Sequence, residues 1–154
     1  MIGELQVMSR LQREGYAVYL PLKDKGIDFV ALRNSRAWQI QVKTSQWQKN
    51  SYFWFDLHKS KMVYSANTTY VFVPYTLPRR TFMGARENFL LIPSLHLRTW
   101  IRKGLLATKH NAPNVMNFFV YPDLKKQRWA YRNKGKELDL TKYWNNFRMV
   151  KGAG

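Results

Sequence analysis

Two short apolar runs near the start of the chain constrain its fold more than any other feature. They are residues 26–32 (Gly-Ile-Asp-Phe-Val-Ala-Leu) and residues 38–44 (Trp-Gln-Ile-Gln-Val-Lys-Thr), with a polar break at residues 34–36. Runs of this length and spacing are typical of two strands joined in a hairpin. Side chains two residues apart share one face of a strand, so Gln41 and Lys43 are predicted to lie on the same face.

A helix is predicted over residues 2–14, before the hairpin. Apolar side chains recur there every three residues, and Gly15 supplies a stop. Glu4 falls inside the apolar arc of this helix. Because burying an unpaired carboxylate is costly, we expect Glu4 to contact a metal ion, a lysine or a bound water.

The remainder of the chain mixes strand and helix patterns without an internal repeat or a linker. The predicted strands are residues 16–22, 70–75, 87–93 and 115–121, with residues 51–57 as a short strand or an aromatic loop. Residues 46–51 are predicted to be a loop, and residues 123–137 a loop or a basic hairpin. Ser94 is predicted to cap a helix that runs to residue 102. A last helix over residues 140–150 would serve either the core or a subunit contact.

We therefore expect one domain of α/β (α+β) class over residues 1–154. A helix comes first and a three-stranded antiparallel meander follows, within a central mixed β-sheet flanked by helices. The chain has no cysteine, which excludes disulfides and thiol catalysis and is compatible with a reducing cytoplasm. We expect a cytoplasmic protein, because no secretory signal is visible and the longest uncharged stretch is too polar to span a bilayer.

The net charge of +17 predicts a polyanionic partner, with nucleic acid as the first candidate. The excess is concentrated in residues 78–154, where 16 basic and 4 acidic side chains give +12, against +5 in residues 1–77. We assign the catalytic core to about residues 1–75 and the basic elements for DNA binding or oligomerisation to about residues 76–154.

Oxygen ligands and a lysine converge on the predicted hairpin. Asp28 offers a carboxylate, Gln41 an amide oxygen and Val42 a backbone carbonyl, which suit Mg²⁺, with Mn²⁺ as a substitute. Lys43 would hold the attacking water or the phosphate, and Glu4 would complete the site through a water molecule. A divalent metal can neutralise a phosphodiester, activate water and stabilise the leaving oxygen, so this pattern predicts phosphodiester hydrolysis.

This order of residues resembles the PD-(D/E)XK nuclease superfamily over about residues 1–45. The resemblance implies that Asp28 is a metal ligand, that Gln41 occupies the usual acidic position, that Lys43 is the catalytic lysine and that Glu4 is the acid carried by the helix. The chain departs from the family pattern at Ile27, where proline is usual, and at Gln41, where Asp or Glu is usual.

Within the superfamily, the chain looks most like a bacterial homing endonuclease encoded in a group I intron. That resemblance implies a restriction-endonuclease-like core and a Mg²⁺-dependent enzyme that cuts both strands of a long, pseudopalindromic DNA site. Cutting both strands requires two active sites related by a dyad, so a homodimer or homotetramer is expected.

Basic side chains supply the candidates for DNA binding, with lysines suited to phosphates and arginines to guanine edges. The candidates are Lys23, Lys25, Lys59, Lys61, Arg79, Arg80, Arg86, Lys125, Lys126, Arg128 and Arg132. Arg79 and Arg80 are the first choice for a loop that contacts base edges.

Other interpretations of the same residues remain open. Asp28 alone could cap a turn, and Lys43 alone could be a solvated lysine at a strand end. A nuclease selective for Holliday junctions is a close alternative function. A protein with the nuclease fold that binds DNA or RNA without catalysis is another, because Gln41 removes a negative charge from the site. Trp38, Trp47 and Trp54 could stack on bases, although packing is the more common role of such residues.

Overall fold

The computed structural model of the chain describes residues 2–22, 27–48 and 51–151. Within them lie two α-helices, α1 (Ile2–Arg13) and α2 (Ser94–Arg102). The strands are β1 (Ala17–Tyr19), β2 (Phe29–Arg33), β3 (Arg36–Gln48), β4 (Tyr52–His58), β5 (Thr68–Tyr75), β6 (Leu90–Pro93), β7 (Ala107–Lys109), β8 (Ala112–Asp123), β9 (Arg128–Asn133) and β10 (Lys136–Asp139). Short 3₁₀ helices span Lys59–Lys61, Thr141–Tyr143 and Phe147–Lys151.

The long strand β3 is shared by two sheets. In the first sheet, β1, β2 and β3 form the antiparallel meander expected from the sequence, β5 runs parallel to β3, and β6 pairs with β5. In the second sheet, the end of β3 pairs with β4, and the order continues through β8, β9 and β10, with β7 on β8. The mixed α+β class and the order of helix and meander are therefore confirmed.

Two cores lie on opposite faces of β3. Val7 and Leu11 of α1 pack against Ile40 and Val42 in the first core, which also contains Val71. The second core lies between the two sheets and is rich in aromatic rings, including Phe55, Phe72, Phe118, Trp129 and Tyr131. Both cores consist almost entirely of fully buried apolar side chains, so β3 is held from both sides and provides a rigid support.

The predicted last helix over residues 140–150 is wrong. Two 3₁₀ helices replace it, and Asn145 between them has a φ of 50°, which an α-helix does not allow. Asn145 is held against β6, because its amide donates to the Phe89 carbonyl at 2.7 Å and its Oδ1 accepts from the Phe89 amide at 2.9 Å. The break lets Tyr143 enter the second core and Phe147 the first. Of the two roles expected for this segment, core or subunit contact, Tyr143 and Phe147 therefore serve the core.

Several boundaries also differ from expectation. Ser94 is the first residue of α2 and makes no cap, because its hydroxyl exchanges two 2.9 Å hydrogen bonds with the backbone of Ser65. β1 is shorter than the predicted strand over residues 16–22, while β3 continues to Gln48 through part of the predicted loop. The segment predicted as a strand or an aromatic loop over residues 51–57 is strand β4 (Tyr52–His58), and residues 123–137 form the basic hairpin rather than a loop. Neither helix in the described residues has the length or apolar content needed to cross a bilayer.

Candidate functional site

The carboxylate of Asp28 is fixed where β2 and β3 separate. Asp28 lies one residue before β2, and its amide donates to the Ile40 carbonyl at 2.9 Å. Its Oδ2 accepts a hydrogen bond of 2.6 Å from the Val42 amide. The backbone pairing of β2 with β3 ends at Phe29 and Ile40. Beyond that point the Asp28 carboxylate takes the place of a backbone acceptor for the Val42 amide, and this hydrogen bond orients the carboxylate along the edge of β3.

Gln41 brings an unsatisfied oxygen to the same strand. It pairs with Tyr70 of β5, and its Oε1 is buried without a hydrogen-bond partner among the described residues. Buried polar atoms are nearly always satisfied, so an orphan oxygen indicates an absent donor or cation. In a strand, the amide and the carbonyl of one residue point to the same edge, and those of the next residue point to the opposite edge. The Val42 carbonyl therefore lies on the edge that carries the Asp28 carboxylate, because both the Ile40 carbonyl and the Val42 amide bond to Asp28 there.

Lys43 lies on the same face of β3 as Gln41, as the sequence predicts. The two residues pair with Phe72 and Tyr70, which belong to the second core, whereas Ile40 and Val42 enter the first core. Lys43 also lines a cleft of about 470 Å³ between β3 and β4. The other lining residues of this cleft, called here the lysine cleft, are Thr44, Trp54, Phe55, Asp56 and Lys109.

The start of α1 is pressed against β3 beside Lys43. A Cβ on Gly3 would collide with Thr44 Oγ1 and would lie 3.3 Å from Thr44 Cβ, so only glycine fits the observed packing. Glu4 follows in the first turn of α1 and is half-buried. No group of three or more His, Asp or Glu side chains suited to a metal occurs among the described residues, so Glu4 and Asp28 do not form part of such a cluster.

Tyr70 of β5 interacts electrostatically with Asp28, and Tyr64 in turn interacts with Tyr70. The Tyr70 hydroxyl accepts a hydrogen bond of 2.9 Å from the Val63 amide. Burial raises the pKa of Tyr70, and the Asp28 carboxylate adds to the rise, as Tyr64 does once it ionises. Burial also raises the pKa of Tyr64, while the positive charges of Arg98 and Arg102 on α2 oppose it. Arg98 and Arg102 of helix α2 therefore lie near Tyr64.

Lys109 is a candidate that the sequence analysis missed. It ends β7, a three-residue strand that was not predicted, and the register with β8 shifts between Thr108 and Lys109. Its Nζ lies 5.4 Å from the centre of the Trp54 ring and 3.6 Å from Asp56 Oδ2. These two contacts hold the ammonium at the wall of the lysine cleft. A lone lysine in a polar stretch gives no sequence signal. The sequence analysis also missed Arg98 and Arg102, although their spacing of one helical turn was a signal that could have identified them.

The predicted DNA-binding residues occupy different environments. Lys23 and Lys25 lie outside the described residues. Lys59 and Lys61 are exposed in the 3₁₀ helix after β4, and Lys125 and Lys126 are exposed in the turn between β8 and β9. Arg86 is also exposed.

Several of the predicted arginines already have partners. Arg79 donates to the Arg86 carbonyl at 3.2 Å and lies 3.8 Å from Glu87, and Arg80 lies 5.3 Å from the ring centres of both Trp47 and Phe82. Arg128 and Arg132 each form ion pairs with Asp123 and Glu137. Among the predicted candidates that the structure describes, Lys59, Lys61, Lys125, Lys126 and Arg86 are therefore the exposed cations outside these ion pairs.

The three tryptophans divide between packing and exposure. Trp38 is buried in the first core, where its ring meets that of Tyr16 edge-on at 5.9 Å. Trp47 packs against Phe53 and Phe82. Trp54 remains 36% exposed at the lysine cleft.

Comparison with known proteins supports the fold. No protein-family model matches the sequence, and no curated protein sequence matches it. Among solved structures, the chain is similar to the bacterial homing endonuclease I-Ssp6803I, with a TM-score of 0.60 and 14% sequence identity. The match covers 97% of this chain and 86% of that chain. At this identity the likeness shows a shared nuclease-like fold.

Proposed function

We propose that this chain is a metal-dependent DNA endonuclease of the PD-(D/E)XK type. The observation that carries the proposal is the hydrogen bond that ties the Asp28 carboxylate to the Val42 amide of β3, the strand on which Val42 is flanked by Gln41, with its orphan oxygen, and by Lys43. The fold shared with a homing endonuclease supports the same interpretation. The charge of +17 suits a DNA substrate.

The donor set fits a hard divalent cation. Asp28 offers a carboxylate, Gln41 offers a buried amide oxygen without a partner, and Val42 offers a carbonyl on the same edge. Mg²⁺ prefers oxygen ligands, often uses one or two carboxylates and keeps several waters, so this small set is sufficient, and Mn²⁺ would substitute. When bound, the cation would supply charge neutralisation at the phosphate and would lower the pKa of water.

The protein residues have separate roles in this proposal. Asp28, oriented by the Val42 amide, and Gln41 would hold the cation. Lys43 projects beside them and would orient the attacking water or hold a phosphate oxygen through its ammonium. Glu4, at the start of α1, would accept a hydrogen bond from a water of the cation's outer shell.

The accessible cations around the site would hold the DNA backbone. Lys109 borders the lysine cleft next to Lys43, while Arg98 and Arg102 approach from α2 on the Tyr64 side. Lys59 and Lys61 follow β4, whose Asp56 and Phe55 line the same cleft. We propose that these residues contact phosphates on both sides of the bond that is cut. A homodimer or homotetramer would bring a second site to the opposite strand.

Plasmid cleavage tests the proposal. The wild-type protein should nick or linearise plasmid DNA with Mg²⁺ and should bind without cutting in Ca²⁺. Lys43→Ala should lose cutting while it retains DNA binding and the thermal stability of the wild type. Lys151→Ala, an exposed lysine on the last 3₁₀ helix, is the matched control and should cut normally. Equal activity of the wild type and Lys43→Ala would contradict the proposed site.

Gln41 favours a second candidate, a nucleic-acid-binding protein without catalysis. An amide in place of a carboxylate gives the cation one negative charge fewer, so binding could persist where turnover does not. This candidate predicts salt-dependent binding of DNA or RNA and no cutting with any metal. Four-way junctions should be included beside linear duplexes, because preferential cutting of junctions would identify a structure-selective nuclease instead.

A further inference from the structure

The outward face of the second sheet carries a continuous row of four aromatic rings. Trp54 of β4 pairs with Phe119 of β8, and their ring centres are 5.7 Å apart. The Phe119 ring meets that of Tyr52 on β4 edge-on at 5.6 Å, and the Tyr52 ring lies 5.3 Å from that of Tyr121 on β8. Trp54 is 36% exposed and the other three side chains are half-buried, so solvent reaches all four. These residues are called here the aromatic row.

Strand alternation explains why the aromatic row faces outward. On β4, Phe53, Phe55 and Leu57 are buried in the second core. On β8, Phe118 and Val120 lie in the same core. Neighbouring side chains of a strand point to opposite faces, so the rings between these residues lie on the face away from the core.

The aromatic row connects the lysine cleft with a second cleft. Trp54 lines the lysine cleft together with Lys43. At the other end of the row, Phe119, Tyr52 and Tyr121 line an open cleft of about 480 Å³, called here the aromatic cleft. The charged residues that line it are Arg132, Lys134, Lys136 and Glu137. The row thus forms a continuous apolar path between two clefts that contain lysines.

Ion pairs leave the aromatic cleft with a surplus of positive charge. Arg132 lies 3.1 Å from Glu137 and 2.7 Å from Asp123, and Arg128 pairs with the same two acids. These four charges cancel. The two lysines of the cleft are outside these pairs, and both are exposed. The rings therefore have cations at their margin that suit a negatively charged ligand.

We infer that the aromatic row and the aromatic cleft bind a single strand of DNA. Proteins that hold single strands without sequence preference combine cations for the phosphates with aromatic rings on which the bases stack. Tyr52, Phe119 and Tyr121 would stack on bases, while Lys134 and Lys136 would hold phosphates. Only an unpaired base can stack in this way, because the bases of a duplex are enclosed in its own stack.

This inference rests on the proposed function only for the place to which the strand leads. Because Trp54 ends the aromatic row beside Lys43, the bound strand would adjoin the bond that is cut. The substrate class would then be a duplex with an unpaired strand next to the cut. Binding of that strand requires neither metal nor cutting, so the two proposals can fail separately.

Fluorescence anisotropy in EDTA tests the surface with a labelled oligothymidylate of about 16 nucleotides, the upper end of common site sizes. Tyr52→Thr/Tyr121→Thr should bind it at least about 10-fold more weakly than the wild type but should bind a blunt duplex equally well. Threonine suits a strand, so far-UV circular dichroism should be unchanged. Tyr52→Phe/Tyr121→Phe keeps the rings and should bind like the wild type. The matched control is Tyr19→Thr, which removes a 56% exposed tyrosine of β1 and should also bind normally.

An abasic oligonucleotide of the same length provides a readout that needs no variant. It keeps the phosphates but has no bases, so the wild type should bind it at least about 10-fold more weakly than oligothymidylate. Lys134→Gln should decrease the slope of log binding constant against log salt concentration by about 0.7, the value for one phosphate of a single strand. Lys134 is chosen because Lys136 also donates to the Gly104 carbonyl at 2.8 Å. Lys151→Gln is the charge control and should have a smaller effect.

The possible results separate this inference from the nuclease proposal. It is overturned if the abasic strand binds as tightly as oligothymidylate, if Tyr52→Thr/Tyr121→Thr binds oligothymidylate like the wild type or loses duplex binding to the same extent, or if Tyr19→Thr has the larger effect. Tighter binding of oligouridylate than of oligothymidylate would overturn the choice of DNA. A wild type that shows the expected binding pattern but never cuts would support this inference and contradict the nuclease.

Discussion

The Val42 amide donates a hydrogen bond of 2.6 Å to Oδ2 of Asp28, across the gap that precedes the first residue of β2 and beside which β3 continues. This contact ties the carboxylate to the strand that carries Gln41 and Lys43. The orientation of Asp28 therefore follows from the backbone of β3 and does not require a bound ligand. A carboxylate that is already oriented loses less entropy when it binds a cation.

Asp28→Asn separates the structural role of this residue from its chemical one. The asparagine oxygen can still accept from the Val42 amide, so the unfolding temperature should stay close to that of the wild type. Cutting with Mg²⁺ should be lost, because the site loses its best metal ligand. Plasmid cleavage and thermal unfolding, measured on the same preparation, check both outcomes. A variant that cuts normally would remove Asp28 from the proposed site.

Gln41→Glu should make folding stability depend on divalent metal. Without metal, a carboxylate with a buried oxygen at this position should lower the unfolding temperature, because burying an uncompensated negative charge is unfavourable. Mg²⁺ or Mn²⁺ should restore it, since a ligand that binds only the folded state stabilises that state. The change in unfolding temperature on adding metal should exceed that of the wild type. Gln41→Met, similar in size and without a ligand oxygen, should show no metal response.

Gly3→Ala should destabilise the chain by about 1–3 kcal/mol, the usual cost of forcing an added methyl group into a packed contact. The added Cβ would collide with Thr44 Oγ1 and displace the start of α1 from β3. Adding Thr44→Ala should recover much of the loss, because it removes the colliding oxygen. Chemical denaturation of the four proteins in this double-mutant cycle gives the coupling energy. Additive effects would mean that α1 does not rest on Thr44.

Lys109→Gln should weaken DNA binding and reduce its salt dependence. If Lys109 contacts one phosphate, the slope of the logarithm of the binding constant against the logarithm of salt concentration should decrease in magnitude by about 0.9. Lys151→Gln is the control for the loss of one charge and should have a smaller effect. Fluorescence anisotropy in Ca²⁺ measures both without cutting. Equal effects of the two variants would contradict a specific role for Lys109.

His96 should make folding stability sensitive to mild acid. Its Nδ1 lies 2.7 Å from the Tyr143 hydroxyl, and burial, together with the positive charge of Lys142, lowers the pKa of His96 below 6.5. Burial also raises the pKa of Tyr143 to about 12, so this hydroxyl stays protonated. The unfolded chain then binds the proton of His96 more readily than the folded one. The contribution of His96 to the free energy of unfolding is fully present above pH 6.5. It declines as the pH falls from 6.5 towards the lower pKa that His96 has in the folded protein.

Thermal unfolding of the wild type and His96→Gln across this range tests the sign. The difference between the two unfolding temperatures should be largest above pH 6.5 and should shrink below it. A difference that grows in acid would mean that the folded state favours the charged imidazole.

The sequence predicted the part of the fold that local patterns control. The hairpin of β2 and β3, the helix before it and the shared face of Gln41 and Lys43 follow from residue alternation and helical periodicity. The last segment was mispredicted because its spacing of aromatic residues suits a helix, whereas tertiary hydrogen bonds from Asn145 to Phe89 break it. Such contacts, 56 residues apart in sequence, leave no local signal.

The candidate site was predictable to a similar extent. Asp28 and Lys43 were predicted because a carboxylate and a lysine beside two apolar strands suggest a site. The lysine cleft was not predictable, because it forms only where β3 leaves the first sheet and β4 and β7 approach it. Lys109 lies in a strand of three residues, and a strand this short cannot be recognised from residue alternation in the sequence.

The most direct test is to incubate the protein with a library of long duplex DNA in Mg²⁺ or Ca²⁺ and to sequence the cut ends. We predict discrete cuts at a defined sequence in Mg²⁺, no cuts in Ca²⁺, and no cuts by Lys43→Ala, although this variant should still bind DNA. Binding without cutting by the wild type, with Mg²⁺ or Mn²⁺ on duplexes and junctions alike, would contradict a nuclease built on Asp28, Gln41 and Lys43.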